Sequence, residues 1–493
     1  MFKNLIKTSL ILTLTFQGCS SLRVHQFAAR SDRPLSSENF FDIINRQIKF
    51  EKIEDVSSFQ IDGFPYLRTN RFLSAFKNQD LTSEQFNTWI DHMFKLQLET
   101  KEKELKNLSQ ESLALISSQL KKNFTHEELI QKSENHAKNL LIQDQKQTDF
   151  HDKIKLAIKA PSEYSAIKRI IGLYPLFYLP VKNATLRAYD KFKQWHQQPF
   201  ENYSPLGNLR VFGIKKTALP AHFFHSSTTY DTLGVPKMDL PNQYQLALSF
   251  APYIFQDTVD TYDHFGKIIW QNKKVTVDTT KPTVYYYITH TFVNEKPVLQ
   301  LNYSIWFIGR YGANAPWLER GALDGLTFRI TLDQNGQPLL LDVINNCACY
   351  HLLIPKKEAI TRIKDPVSGI QPLIARWLPK QYPENPLKLL LTTGWHQLQR
   401  IDAENPPEEF ISYNLLPYSD LESLSHTDGY RENVFNNHGI MKNSSRIEPL
   451  FFFPSGINKV GYMRQREHHP IKLIGQAHFT DPNLLEDLFE FKK

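Results

Sequence analysis

Between Val284 and Pro355 the chain carries a succession of segments that commit it to antiparallel sheet. Val284-Tyr-Tyr-Tyr-Ile-Thr-His-Thr-Phe292 and Val298-Leu-Gln-Leu-Asn-Tyr-Ser-Ile-Trp-Phe307 are crowded with β-branched and aromatic residues, and Asn294-Glu-Lys-Pro297 between them is hairpin-sized. A third segment, Leu323 to Leu332, alternates Leu326, Phe328, Ile330 and Leu332 with Thr327, Arg329 and Thr331. That pattern predicts one buried face and one face in water. Asp333-Gln-Asn-Gly-Gln337 has turn chemistry, and Leu339 to Ile344 returns as a fourth strand. The meander ends in Cys347-Ala-Cys-Tyr-His351, which gathers two thiols and an imidazole.

Upstream of this sheet the period is helical. Thr82-Ser-Glu-Gln85 and Thr125-His-Glu-Glu128 are capping boxes, each opening a helix with an apolar side. Another helix is expected from Pro161-Ser-Glu to Gly172, and a last one from Ala184 to Trp195. Beyond Pro199 short strands recur between Pro, Gly, Asn and Asp, among them Tyr244 to Phe250, Leu387 to Thr393 and a pair between Ile471 and Phe479. The organisation expected is α+β. Residues 1–18 form a signal peptide, and 19–65 a tether with a first helix from Ser37 to Phe50. Residues 66–200 form an all-α helical domain. Residues 201–493 form a larger antiparallel β-rich domain closed by a short C-terminal helix from Pro482 to Phe491.

The N-terminus bears on location. Lys3 and Lys7 flank an apolar run, Leu5 to Phe16, too short to span a bilayer, and Gln17-Gly-Cys-Ser20 follows. The arrangement resembles the signal of bacterial lipoproteins, whose cleavage leaves a cysteine, here Cys19, to be acylated (palmitate is one of the chains such anchors carry). Phe16 and Gln17 depart from the usual pattern, and an ordinary secretory signal or an uncleaved anchor is the alternative. Ser20 resembles the sorting residue of outer-membrane lipoproteins, so the body is expected in the periplasm. Loss of Lys3 and Lys7 takes the formal charge from +7 to +5. No basic stripe is interleaved with aromatics, so nucleic acid is not an expected partner. The expected partners are the membrane, through the lipid, and a cell-wall or envelope protein ligand.

Four stretches, Leu299 to Phe307, Leu323-Asp-Gly-Leu326, Cys347 to His351, and Met463-Arg-Gln465 through His478-Phe-Thr-Asp-Pro482, resemble a family of uncharacterised bacterial envelope lipoproteins over most of the mature chain. The resemblance implies location and unity of fold and supplies no catalytic residue. Ala348 stands where that family carries glycine.

With Cys19 assigned to lipid, Cys347 and Cys349 need a local explanation. Cys347, Cys349 and His351 share one face of an extended strand and suit zinc or copper. A straight strand holds the outer two Cα atoms about 13 Å apart, so either the backbone reverses near Ala348 or only two of the three bind, and further ligands must come from His290 or His478. An open coordination position would make such a site hydrolytic. The alternatives are a strained Cys347–Cys349 disulfide, across Cα atoms about 6.6 Å apart in extended chain, or two buried thiols, in a non-catalytic binding or structural protein. A Cys349 nucleophile served by a histidine and by Asp324 or Asp342 is a further arrangement, although Asp324 before Gly325 reads as a turn residue. Tyr285, Tyr287, Trp306 and Trp317 are candidates to line a glycan or peptide groove. The chain carries no phosphate-binding loop, dinucleotide fingerprint, His-Glu-x-x-His or Gly-x-Ser-x-Gly elbow.

Overall fold

Asn294 and Glu295 both adopt positive φ (51° and 62°), which closes the first hairpin in two residues and sets the register of the two strands it joins. In this computed structural model, which describes residues 36–216, 219–220, 222–365 and 369–492, that turn joins β1 (Thr283–Val293) to β2 (Lys296–Arg310). β3 (Gly321–Leu332) and β4 (Pro338–Asn345) continue the antiparallel meander at the positions the sequence predicts. β5 (Leu352–Pro355) pairs antiparallel with β4, β6 (Leu373–Ile374) parallel with β5, and β7 (Asn414–Pro417) parallel with β1. The sheet runs β6-β5-β4-β3-β2-β1-β7.

One face of this sheet is apolar. Leu301, Tyr303, Ile305 and Phe307 of β2 stand beside Leu326, Phe328 and Ile330 of β3. They share one core with a five-stranded sheet ordered Leu398–Ala403, Leu387–Leu391, Tyr253–Thr258, Asn208–Gly213, Ile411–Ser412. The opposite face is not wet, contrary to the alternation in β3. Arg329 is buried there, with Nε and Nη2 donating to the Asp342 carboxylate (2.9 and 2.6 Å) and Nη1 to the Phe479 carbonyl (2.5 Å). The C-terminal stretch covers that face, and a buried charge is tolerated because it is paired.

The helical region has its own core. α1 (Ser37–Glu51), α2 (Ser83–Lys106) and α3 (His126–Asp144) pack Phe40, Ile44, Trp89, Met93 and Leu129 together, and both capping boxes form. α4 (Ala166–Ile171) starts later than Pro161 because Ser165 caps it. α5 (Tyr174–Gln197) begins ten residues before Ala184, with Pro175 in its first turn, where the missing N–H costs nothing, and Pro180 inside it. A hairpin of Phe59–Ile61 and Phe64–Thr69 spans the end of the expected tether and the start of the region expected to be all-α. Tyr244 to Phe250 is helical, part of Leu240–Phe250, because Asp239 accepts from the Asn242 amide (2.8 Å) and Pro241 sits in the first turn. Between Ile471 and Phe479 only a Pro470–His478 bridge forms among the described residues. The terminal helix is confined to Leu484–Leu488 and followed by a strand, Phe489–Phe491. From Ser37 onward the chain packs as one compact unit.

Candidate functional site

The segment after β4 reverses at Ala348 (φ 73°) and again at Tyr350 (φ 56°), a left-handed conformation that costs a side-chain-bearing residue roughly 1–2 kcal/mol. Backbone bonds hold the turn: Ala348 N–H to Asn345 O (2.7 Å) and Asn345 N–H to Cys349 O (3.1 Å). The Asn346 side chain anchors it to the sheet, donating to Ser304 Oγ (3.1 Å) and Ile305 O (3.2 Å) and accepting from Thr327 Oγ1 (2.7 Å). Gly325 is required for this approach, since a Cβ there would lie 2.3 Å from Asn346 Nδ2 and 2.4 Å from Ile305 O.

The reversal brings the two sulfurs within hydrogen-bonding reach, with Cys347 buried, Cys349 half-buried and both thiols free. The hydrogen bond from Cys349 holds the Cys347 thiol below its ordinary pKa; burial opposes this and the Arg310 guanidinium assists it. The Cys349 thiol is pushed up by the same bond, by burial and by the negative charge that settles on Cys347. The two thiols titrate together, and Cys347 is the one that gives up its proton first.

The predicted metal set divides among separate surroundings. His351 binds Asp342 through Nε2 (2.8 Å) and meets the Phe479 ring edge-on. His290 on β1 places Nε2 3.1 Å from the Pro236 carbonyl and packs against Phe72. His478 accepts from the Glu163 backbone N–H at Nε2 (3.1 Å) and faces Asp481 with Nδ1 (3.3 Å), which occupies both ring nitrogens. Among the described residues no three His, Cys, Asp or Glu side chains are arranged to hold a metal ion. Three of the aromatics proposed for a groove, Tyr285, Tyr287 and Trp306, are core residues, and Trp317 alone is exposed. Cys19 and the signal segment lie outside the described residues.

Asp324 is no turn residue. It sits inside β3 opposite Phe307 and accepts from Arg310 Nε (3.0 Å) and Nη2 (2.9 Å). Arg310 also binds Glu319, which accepts from Trp395 Nε1 (2.8 Å) and from the Tyr350 hydroxyl. His396 completes the network between Asp324 (Nδ1, 2.8 Å) and Asp263 (Nε2, 3.1 Å), stacked flat on Phe307. Burial would lower its pKa, but the bonds to the two carboxylates outweigh that and raise it. Neither the Arg310–Glu319 pairing nor His396 carries a motif. The one available signal is register, because the pairing of β2 with β3 places Asp324 inside the strand.

Beside the thiols lies a cavity of about 200 Å³. Its polar wall is Cys347, Cys349, Glu319, Glu448 and His351; α5 supplies Val181, Ala184 and Ala188, and Ile457, Val460, Ile471 and Leu488 line the rest. Glu448 is pushed up to about 8 by burial, with Cys347 and Glu319 adding to it, so the wall holds a protonated carboxyl at neutral pH. No helix of the described residues is long and apolar enough to cross a membrane. No family of proteins, no curated protein and no solved structure matches this chain.

Proposed function

We propose that this chain is a lipid-anchored protein of the bacterial envelope, tethered to the outer membrane through Cys19, whose periplasmic body binds a small and mostly apolar ligand. The cavity carries this reading: a mostly apolar chamber whose wall includes two thiols and a protonated carboxyl. Its volume exceeds the ~150 Å³ hole that takes up benzene in an engineered core, which matches a short acyl chain or a substituted ring. Ligand pockets combine apolar walls with a few convergent polar groups, and Glu448 and the thiols are suited to orient a carbonyl or hydroxyl. The binding reading is favoured over the metal reading because His290, His351 and His478 each have a protein partner and stand apart.

The test is thermal unfolding of the full chain with short-chain fatty acids and alkylphenols, alongside Ala184→Trp, which puts a large ring on the α5 wall of the chamber. A ligand at a hundred times its Kd stabilises by about 2.7 kcal/mol. The wild type is expected to gain that stability and A184W to gain none. Equal shifts in both proteins, or none in the wild type, contradict the reading. Anchoring is tested separately by incorporation of a labelled fatty acid, expected to vanish in Cys19→Ala.

A further inference from the structure

α4 and the first half of α5 turn their large apolar side chains outward. Ile167, Ile170 and Ile171 are 69–75 % exposed, Leu176 is 71 % and Leu179 is 63 % exposed. The patch continues onto the segment around Pro449–Phe452, where Leu450 is 75 % exposed and Phe451 meets the exposed Trp317. The two parts are contiguous: the Phe177 and Phe452 rings are 6.2 Å apart, and Gly172 lies so close to Pro454 that a Cβ would sit 2.6 Å from it. Contiguous exposed apolar surface of this kind marks a membrane or protein contact.

Charge selects the occupant. From Lys159 to Gln197 the chain carries Lys159, Lys168, Arg169, Lys182, Arg187, Lys191 and Lys193 against two acids, Glu163 and Asp190. Glu163 is already held by His468 and Arg464, and Arg169 by the Ser455 and Gly475 carbonyls, which leaves six cations against Asp190. Lys182 lies over the Tyr178 ring, which places a cation beside an amphipathic aromatic on the apolar surface. An outward apolar face with a basic, aromatic margin is the pattern of a helix lying in a lipid interface, where anionic headgroups meet the cations.

We propose that the face built from α4, the first half of α5 and the Pro449–Phe452 segment lies on a bilayer surface bearing anionic headgroups. The proposal concerns the body of the protein and stands apart from the cavity; it holds whether or not Cys19 is acylated. On this arrangement α5 divides its two sides between lipid and chamber, since Val181, Ala184 and Ala188 line the cavity.

The experiment uses the full chain on vesicles of phosphatidylcholine with phosphatidylglycerol, doped with a diazirine-bearing phospholipid. Lipid adducts are mapped by mass spectrometry after illumination. Adducts are expected in peptides covering 166–186 and 447–453, and the triple variant I170E/L176E/L179E is expected to lose them about tenfold while keeping its unfolding midpoint. Adducts in residues 1–35 show that the protein is on the vesicle in both cases. Adducts confined to residues 1–35, or cross-links from 166–186 to a second copy of the chain, overturn the proposal. Equal labelling on pure phosphatidylcholine overturns its electrostatic part.

Discussion

Ala348 is the residue on which the thiol pair turns. Its side chain is carried in a left-handed conformation, so replacing it with glycine relieves strain of roughly 1–2 kcal/mol. Against that stands an unfolded-state entropy cost of roughly 0.5–1 kcal/mol. Ala348→Gly is therefore expected to be neutral or stabilising by up to ~1 kcal/mol in urea denaturation, and a loss of more than that would contradict the strained turn. A reversal at Ala348 is expected from the sequence only on the condition that one metal gathers Cys347 and His351, and the turn forms without bringing those two together. What gathers around the turn was not legible there. His351 looks like a ligand by spacing, yet Asp342, which also receives Arg329, holds its Nε2. Asp324 looks like a turn residue until the register of β2 and β3 places it opposite Phe307. Side-chain partners of that kind depend on long-range pairing that a local window does not contain.

At the scale of elements, the four-stranded meander and both capping boxes follow from short-range chemistry and formed where expected. The failures share a cause. β3 alternates like a half-buried strand, but the C-terminal stretch covers its polar face, so alternation reported side-chain chemistry and not exposure. α5 starts ten residues before the expected Ala184 and contains two prolines, Pro175 tolerated at the helix start and Pro180 inside it. Pro180 removes the hydrogen bond that its own N–H would give to the Leu176 carbonyl. Pro180→Ala is expected to raise stability by about 1 kcal/mol or more, read as a higher urea midpoint at unchanged slope. An unchanged midpoint would mean that the packing of α5 depends on the proline.

For the molecule as a whole, buried histidines set the acid limit. His196 and His469 are driven to about 3 and His290 to about 4, in each case first by burial. Each folded value lies below the ordinary 6.5, so the stability they contribute is complete above that value and is lost as pH falls towards 3–4. By pH ~4.5 each of the two fully buried rings, His196 and His469, costs roughly 2 kcal/mol. His396 acts in the opposite sense: its pKa is raised, so its contribution is full below the ordinary value and lost as pH climbs through the raised one. Glu448, raised from 4.5 to about 8, likewise favours the fold less as pH rises across that interval. A stability maximum near pH 6.5, with a steep fall between 6.5 and 4, is expected from urea titrations at fixed salt. A flat profile over that interval contradicts the burial of neutral histidines.

The most direct measurement is the rate at which iodoacetamide alkylates the folded chain, followed by mass spectrometry, in the wild type and in Ala184→Trp. If the chamber opens onto the thiol pair, the wild type takes one alkyl group at Cys347 or Cys349 at neutral pH, and A184W, with a large ring on the α5 wall of the chamber, reacts at least several-fold more slowly. Identical rates in the two proteins, or no reaction until the chain unfolds, would show that the cavity does not lead to the cysteines.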